Sequence, residues 1–132
     1  VGAADVVAAI VLRAGLAFSN TQTALAHSIS YPLTLHHQGP HGIACSFFLP
    51  EVMEAAIGID PACDSALSAV FGDLAKAPDA LRSILNMLEV PSRPSALGVG
   101  STEWSEILVD AFAGPRGGNF IGAIDRFPIR WS

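Results

Sequence analysis

All four histidines of this 132-residue chain, His27, His36, His37 and His41, fall inside one fifteen-residue window. Neutral imidazole is the commonest nitrogen donor to divalent metals, so a cluster confined to one stretch points to a metal site. The adjacent pair His36-His37 cannot easily face a single point, so at most one of them would join His27 and His41. No carboxylate lies inside the window, and Glu51 and Glu54 are the nearest in sequence. The residues alone leave two readings open. One is a site of two to four ligands; the other is a buried histidine with three loop histidines in solvent.

The elements that must position these side chains read as helices. Residues 1–18 form an apolar run with Val6, Val7, Ile10, Val11 and Leu16 among alanines, expected to be a helix buried on most sides. Ser19-Asn20-Thr21 offers a new N-cap, so a second helix is expected from Thr21 to about Ser30. Pro32 disfavours helical geometry at Tyr31 and should end it. That places His27 near the end of one helix, His36 and His37 in a loop over residues 34–40, and His41 at the start of the next helix. The rings of His27 and His41 should face one another, and His36 and His37 should be more exposed than either.

The run after His41 reads as a third helix, halted or kinked near Pro50 and continued through Val52 to Ala56. Asp60-Pro61 is a cap followed by proline at the first helical position, opening a helix to about Phe71. Pro78-Asp79 opens another, with Leu81, Ile84, Leu85 and Leu88 on one face. Ser101 or Thr102 caps a last helix carrying Trp104, Ile107, Leu108 and Phe112. No stretch alternates as a strand does, so the chain is expected to be a single all-α bundle spanning residues 1–132.

Composition narrows the function. Apolar residues make up 51% and charged residues 14%, against about 25% charged in ordinary soluble domains. Such a surface implies a face built to meet another domain or another copy, and a two-fold homodimer through residues 1–18 is expected. A net charge of −5 with seven basic residues argues against nucleic acid. Val6–Leu12 is too short to span a bilayer, so no membrane partner is expected. Cys45 and Cys63 lie eighteen residues apart without a CxxC pair, which fits neither a zinc ribbon nor a disulfide scaffold and suits a reducing cytoplasm. Cys45 reads as a buried structural thiol. Gly98-Val99-Gly100 reads as a helix-capping loop, and the segment from Arg116 to Phe120 as C-terminal packing.

Phe18-Ser19-Asn20, His27, Pro32-Leu33, Pro40-His41-Gly42 and Leu49-Pro50 together resemble the signature of the iron-containing (group III) alcohol dehydrogenases, ungapped over 33 residues. The resemblance implies the helical C-terminal domain of dehydroquinate synthase-like and iron-containing dehydrogenases, which follows an α/β dinucleotide-binding domain. It implies a metal held by an aspartate and three histidines, two of them matching His27 and His41. The ion is iron by family, although zinc or another divalent metal suits imidazole equally. The other two ligands and the glycine-rich loop for NAD(P) are expected to precede Val1, making this chain one part of a larger enzyme. The implied reaction is reduction of a small aldehyde to an alcohol, with the isolated chain inactive.

Many family members carry a second histidine where this chain has Tyr31, which makes that tyrosine a candidate proton relay. Thr34 stands where a glycine often follows Pro-Leu. Phe18 matches an aromatic that lines the family's substrate pocket, and a plain core position fits it equally. The stretch from Ser19 to His27 resembles a subgroup that reduces phosphonoacetaldehyde. An anionic substrate of that kind would give His36 and His37 a binding role. The rival reading is a stand-alone helical binding or oligomerisation module without catalysis.

Overall fold

A computed structural model describes residues 2–18 and 23–127, the side chains of 17 and 18 excepted. The described residues form seven α-helices and no strand: α1 (Ala3–Phe18), α2 (Leu25–His36), α3 (His41–Ser46), α4 (Leu49–Ala56), α5 (Pro61–Phe71), α6 (Ala77–Met87) and α7 (Ser101–Ala113). Short 3-10 turns follow α6 and α7. The all-α expectation is met.

The core forms where α2, α3 and α7 meet. Leu25, Ile29 and Leu33 recur at helical spacing and are 0–1% exposed, packed against Trp104 and Leu108 of α7. This spacing explains why α2 runs through Pro32 instead of ending before it. An interior proline costs a helix about 3 kcal/mol; burying Leu33 returns roughly 1.5–3 kcal/mol of that, and the His37 and Thr34 contacts beyond the proline add to it. Stopping at Ser30 would strip Leu33 from that row. The helix also begins later than expected, after an extended Ala24 with no side-chain cap. His27 therefore lies in its first turn, not its last.

Between α3 and α4 the chain turns at Phe47 and Phe48, both fully buried, and Pro50 opens α4. The two rings pack on Trp104 with centroids 6.0 and 4.9 Å away. Phe127 closes the aromatic group 5.0 Å from Phe48 and 5.4 Å from Phe112. At α5 the sequence reading holds closely: Asp60 accepts a hydrogen bond from the Ala62 amide at 2.7 Å, one residue after Pro61.

Two further expectations fail. On α1, Val6, Val7, Ile10, Val11, Leu12 and Leu16 are all 48–64% exposed, not buried. A helix apolar on nearly every side is ordinarily a buried one, and α1 instead leaves that surface open among the described residues. On α6, Ile84 and Leu88 are exposed, and only Leu85 of the expected stripe is buried. Its buried residues are Ala77, Pro78 and Leu85, and charge adds to their docking. Arg82 reaches across to Glu51 at 3.0 Å and Glu54 at 2.8 Å on α4, and to Asp79 at 2.8 Å on its own helix. Burial draws the Arg82 pKa down, but hydrogen bonds to Glu54, Glu51 and Asp79 outweigh it and raise it above its ordinary value.

Candidate metal centre

His27 in the first turn of α2 and His41 at the first position of α3 meet because those two helices pack against each other. Their ring centroids lie 5.7 Å apart, inclined at 65°. Pro40, at φ −54° and ψ 128°, is the N-cap of α3 and sets His41 at its first position. Thr34, one turn above Ser30 on α2, places its hydroxyl 3.5 Å from His41 Nδ1. That contact leaves Nε2 as the nitrogen turned away from α2's hydroxyl, toward Cys45 at 3.5 Å. One donor atom each from His27, His41 and Cys45 lies within 4.8 Å of the others, a spacing and a chemistry that a divalent ion fits.

The chain matches the family model described as Fe-containing alcohol dehydrogenase family, C-terminal, over residues 3–120. It belongs to that family. No curated protein and no solved structure matches it. For a member of the Fe-containing alcohol dehydrogenases, a divalent metal is implied, and the His27–His41–Cys45 group is where this helical domain gathers suitable donors.

Tyr31 and Arg116 complete the surroundings. The Tyr31 ring sits 6.2 Å from that of His41. The Arg116 guanidinium lies over the Tyr31 ring, 4.9 Å from its centroid, and its Nε donates to Thr23 Oγ1 at 2.8 Å. Asn119 donates to the Thr23 carbonyl at 3.0 Å, so the segment does pack as expected, yet it also delivers a fixed cation to the site. Gly117 allows this: a β-carbon there would run into the carbonyls of Ala111 and Phe112 at the end of α7. The His27 pKa is lowered from 6.5, first by burial and then by the charges of His41 and Arg116. The effect keeps its imidazole neutral and its lone pair available to a metal.

The structure brings together His27, Tyr31 and His41 and leaves His36 and His37 apart. His36 closes α2, nine residues and about 13 Å of helix beyond His27. It borders a groove lined by Glu103, Glu106 and Asp110 of α7. His37 binds Glu103 at 2.7 Å and is half-buried by it, whereas His41 is exposed; the expected order of exposure is reversed for that pair. The Glu103 carboxyl is held below its usual 4.5, chiefly by the hydrogen bond from His37. The contact latches the end of α2 to the first turn of α7. The side chain of Phe18 lies outside the described residues.

Sequence reading missed Cys45 and Arg116. Cys45 is half-exposed and turned to the histidines rather than buried in the core. Its position four residues after His41 on a helix was the available signal. Nothing in the spacing of Arg116, 85 residues from Tyr31, could have brought it to the site.

Proposed function

We propose that this chain is the metal-binding part of an NAD(P)-linked alcohol dehydrogenase that reduces a small aldehyde, with His27 and His41 as ligands of a divalent ion. The observation that carries the reading is the meeting of these two imidazoles from separate helices at 5.7 Å. A divalent ion bound there supplies Lewis acidity toward a carbonyl oxygen.

The chain's own residues hold and prepare the site. His27 offers a neutral imidazole, favoured by its burial and by the nearby Arg116 charge. His41 is oriented by the Thr34 hydroxyl, as a metal-binding imidazole is steadied by the partner of its second nitrogen. The Tyr31 phenol, beside His41 and under Arg116, would be the group to pass a proton to a developing alkoxide. Arg116 adds a fixed positive charge that suits an anionic aldehyde, a role the sequence reading gave to His36 and His37.

Two imidazoles leave an ion largely hydrated, and no loop among the described residues cradles a pyrophosphate. The purified chain should therefore bind Zn2+ or Fe2+ and show no turnover with NAD(H) or NADP(H). Calorimetric titration tests this: His27→Ala and His41→Ala should each abolish stoichiometric binding. Binding indifferent to both substitutions overturns the reading, as does robust turnover by this chain alone. The exposed apolar surface of α1 favours, as a second reading, a helical oligomerisation module; that reading requires no metal.

A further inference from the structure

The iron-type ligand set that the family implies consists of nitrogen and oxygen donors, and Cys45 has no place in it. Yet its sulfur lies 3.5 Å from His41 Nε2 and 4.0 Å from Nδ1. In a tetrahedral site with metal–nitrogen bonds of about 2.0–2.1 Å and a metal–sulfur bond of about 2.3 Å, neighbouring donor atoms sit roughly 3.5 Å apart. His41 and Cys45 already keep that separation. Both belong to α3, four residues apart, so the helix itself presents them on one side. His27 approaches from α2, and its donor atom lies with the other two inside 4.8 Å. Two elements thus converge on one point with three donors.

We propose that Cys45 is the third protein ligand of this centre, so that the chain presents two nitrogens and one sulfur to a thiophilic divalent cation such as Zn2+ or Co2+. The proposal rests on the metal role given above to His27 and His41. On binding, the metal–sulfur bond replaces the Cys45 S–H bond, and the proton leaves to solvent with no change of oxidation state. Thiolate donors select zinc-like ions over those that prefer oxygen. The centre of this chain is therefore tuned away from the all-nitrogen-and-oxygen set suited to iron. Cys63, on α5 and not among the clustered donors, serves as an internal control.

The test is Co2+ and Zn2+ binding to the whole chain. Co2+ should give a thiolate-to-metal charge-transfer band in the near ultraviolet in the wild type and in Cys63→Ser, and none in Cys45→Ser. Affinity should fall at least about tenfold in Cys45→Ser, since even an outer partner of a ligand costs that much. Saturating Zn2+ should slow alkylation of Cys45 in the unmodified chain and leave Cys63 unaffected, which keeps the test independent of how the variants fold. Co2+ bound in a His27-dependent way, without the band and with Cys45 alkylated at its metal-free rate, overturns the sulfur ligand and leaves the two-histidine site standing. No His27-dependent binding at all overturns both.

Discussion

Arg82 offers the most direct test of how α6 is held against α4. Its guanidinium sits between α4 and α6, 24% exposed, and binds Glu51, whose side chain is 7% exposed. Removing one partner of a buried pair costs about 3–5 kcal/mol, because the other charge is stranded. Arg82 keeps some access to water, and its bonds to the exposed Glu54 and Asp79 add little. For Arg82→Leu we therefore expect a loss of about 2–3 kcal/mol, a sizeable share of the roughly 5–15 kcal/mol that stabilises a domain. That corresponds to a fall in Tm of about 6–15 °C at this chain length. Urea unfolding followed by far-ultraviolet circular dichroism would measure it, in a cycle with Glu51→Leu. The double variant Glu51→Leu, Arg82→Leu should recover most of the loss, since an apolar pair can replace a buried ion pair at little cost. Arg82→Leu within about 0.5 kcal/mol of the wild type, the range of ordinary surface changes, would refute the reasoning.

His27 in the metal-free chain should titrate below 6.5, and Arg116→Ala should raise its midpoint, as histidine proton NMR can follow. Because the folded value is depressed, the unfolded chain binds the proton more readily, so stability should fall as pH drops below 6.5 and His27→Gln should flatten that slope. Glu103 has the opposite chemistry and the same direction: its contribution is present above 4.5 and lost as pH falls through its lowered value, so Glu103→Gln should narrow the fall in Tm on acidification. The apolar α1 is expected to pair with a second copy; Val7→Glu with Val11→Glu should convert a dimer to a monomer in sedimentation velocity, and a wild-type monomer at micromolar concentration would disprove the pairing.

One cap and one apolar row were legible, whereas the caps expected at Thr21 for α2 and at Ser101 or Thr102 for α7 give way to Ala24 and Gly100. Asp60-Pro61 announced α5, and Trp104, Ile107 and Leu108 announced the inner face of α7. Pro32 misled because a local rule competes with burial, and Leu33 could be seen as fully buried only once α7 lay against it. The same holds for α6, where a ridge of leucine and isoleucine looked like a core face but Leu85 alone of that ridge is buried, beside Ala77, Pro78 and the Arg82 ion pairs. Within the site, His27 and His41 stood out because their type and spacing are unusual. Cys45 did not, since a cysteine in an apolar run looks like core until the orientation of α3 is known. Arg116 lay beyond any sequence rule, because a contact across 85 residues exists only after folding.

The Phe47-Phe48 joint gives this centre an optical consequence. Trp104, fully buried, touches both rings, and these rings are the direct continuation of the helix that bears His41 and Cys45. Its indole Nε1 has no hydrogen-bond partner among the described residues, so its emission should lie far to the blue, as for an indole in hydrocarbon. Any tilt of α3 as the donors close on an ion is transmitted to that stack, since tightly packed interiors pass on displacement rather than absorb it. If the histidines bind an ion, the chain thus carries its own gauge of occupancy: binding should change the fluorescence of Trp104, without a label and without substrate.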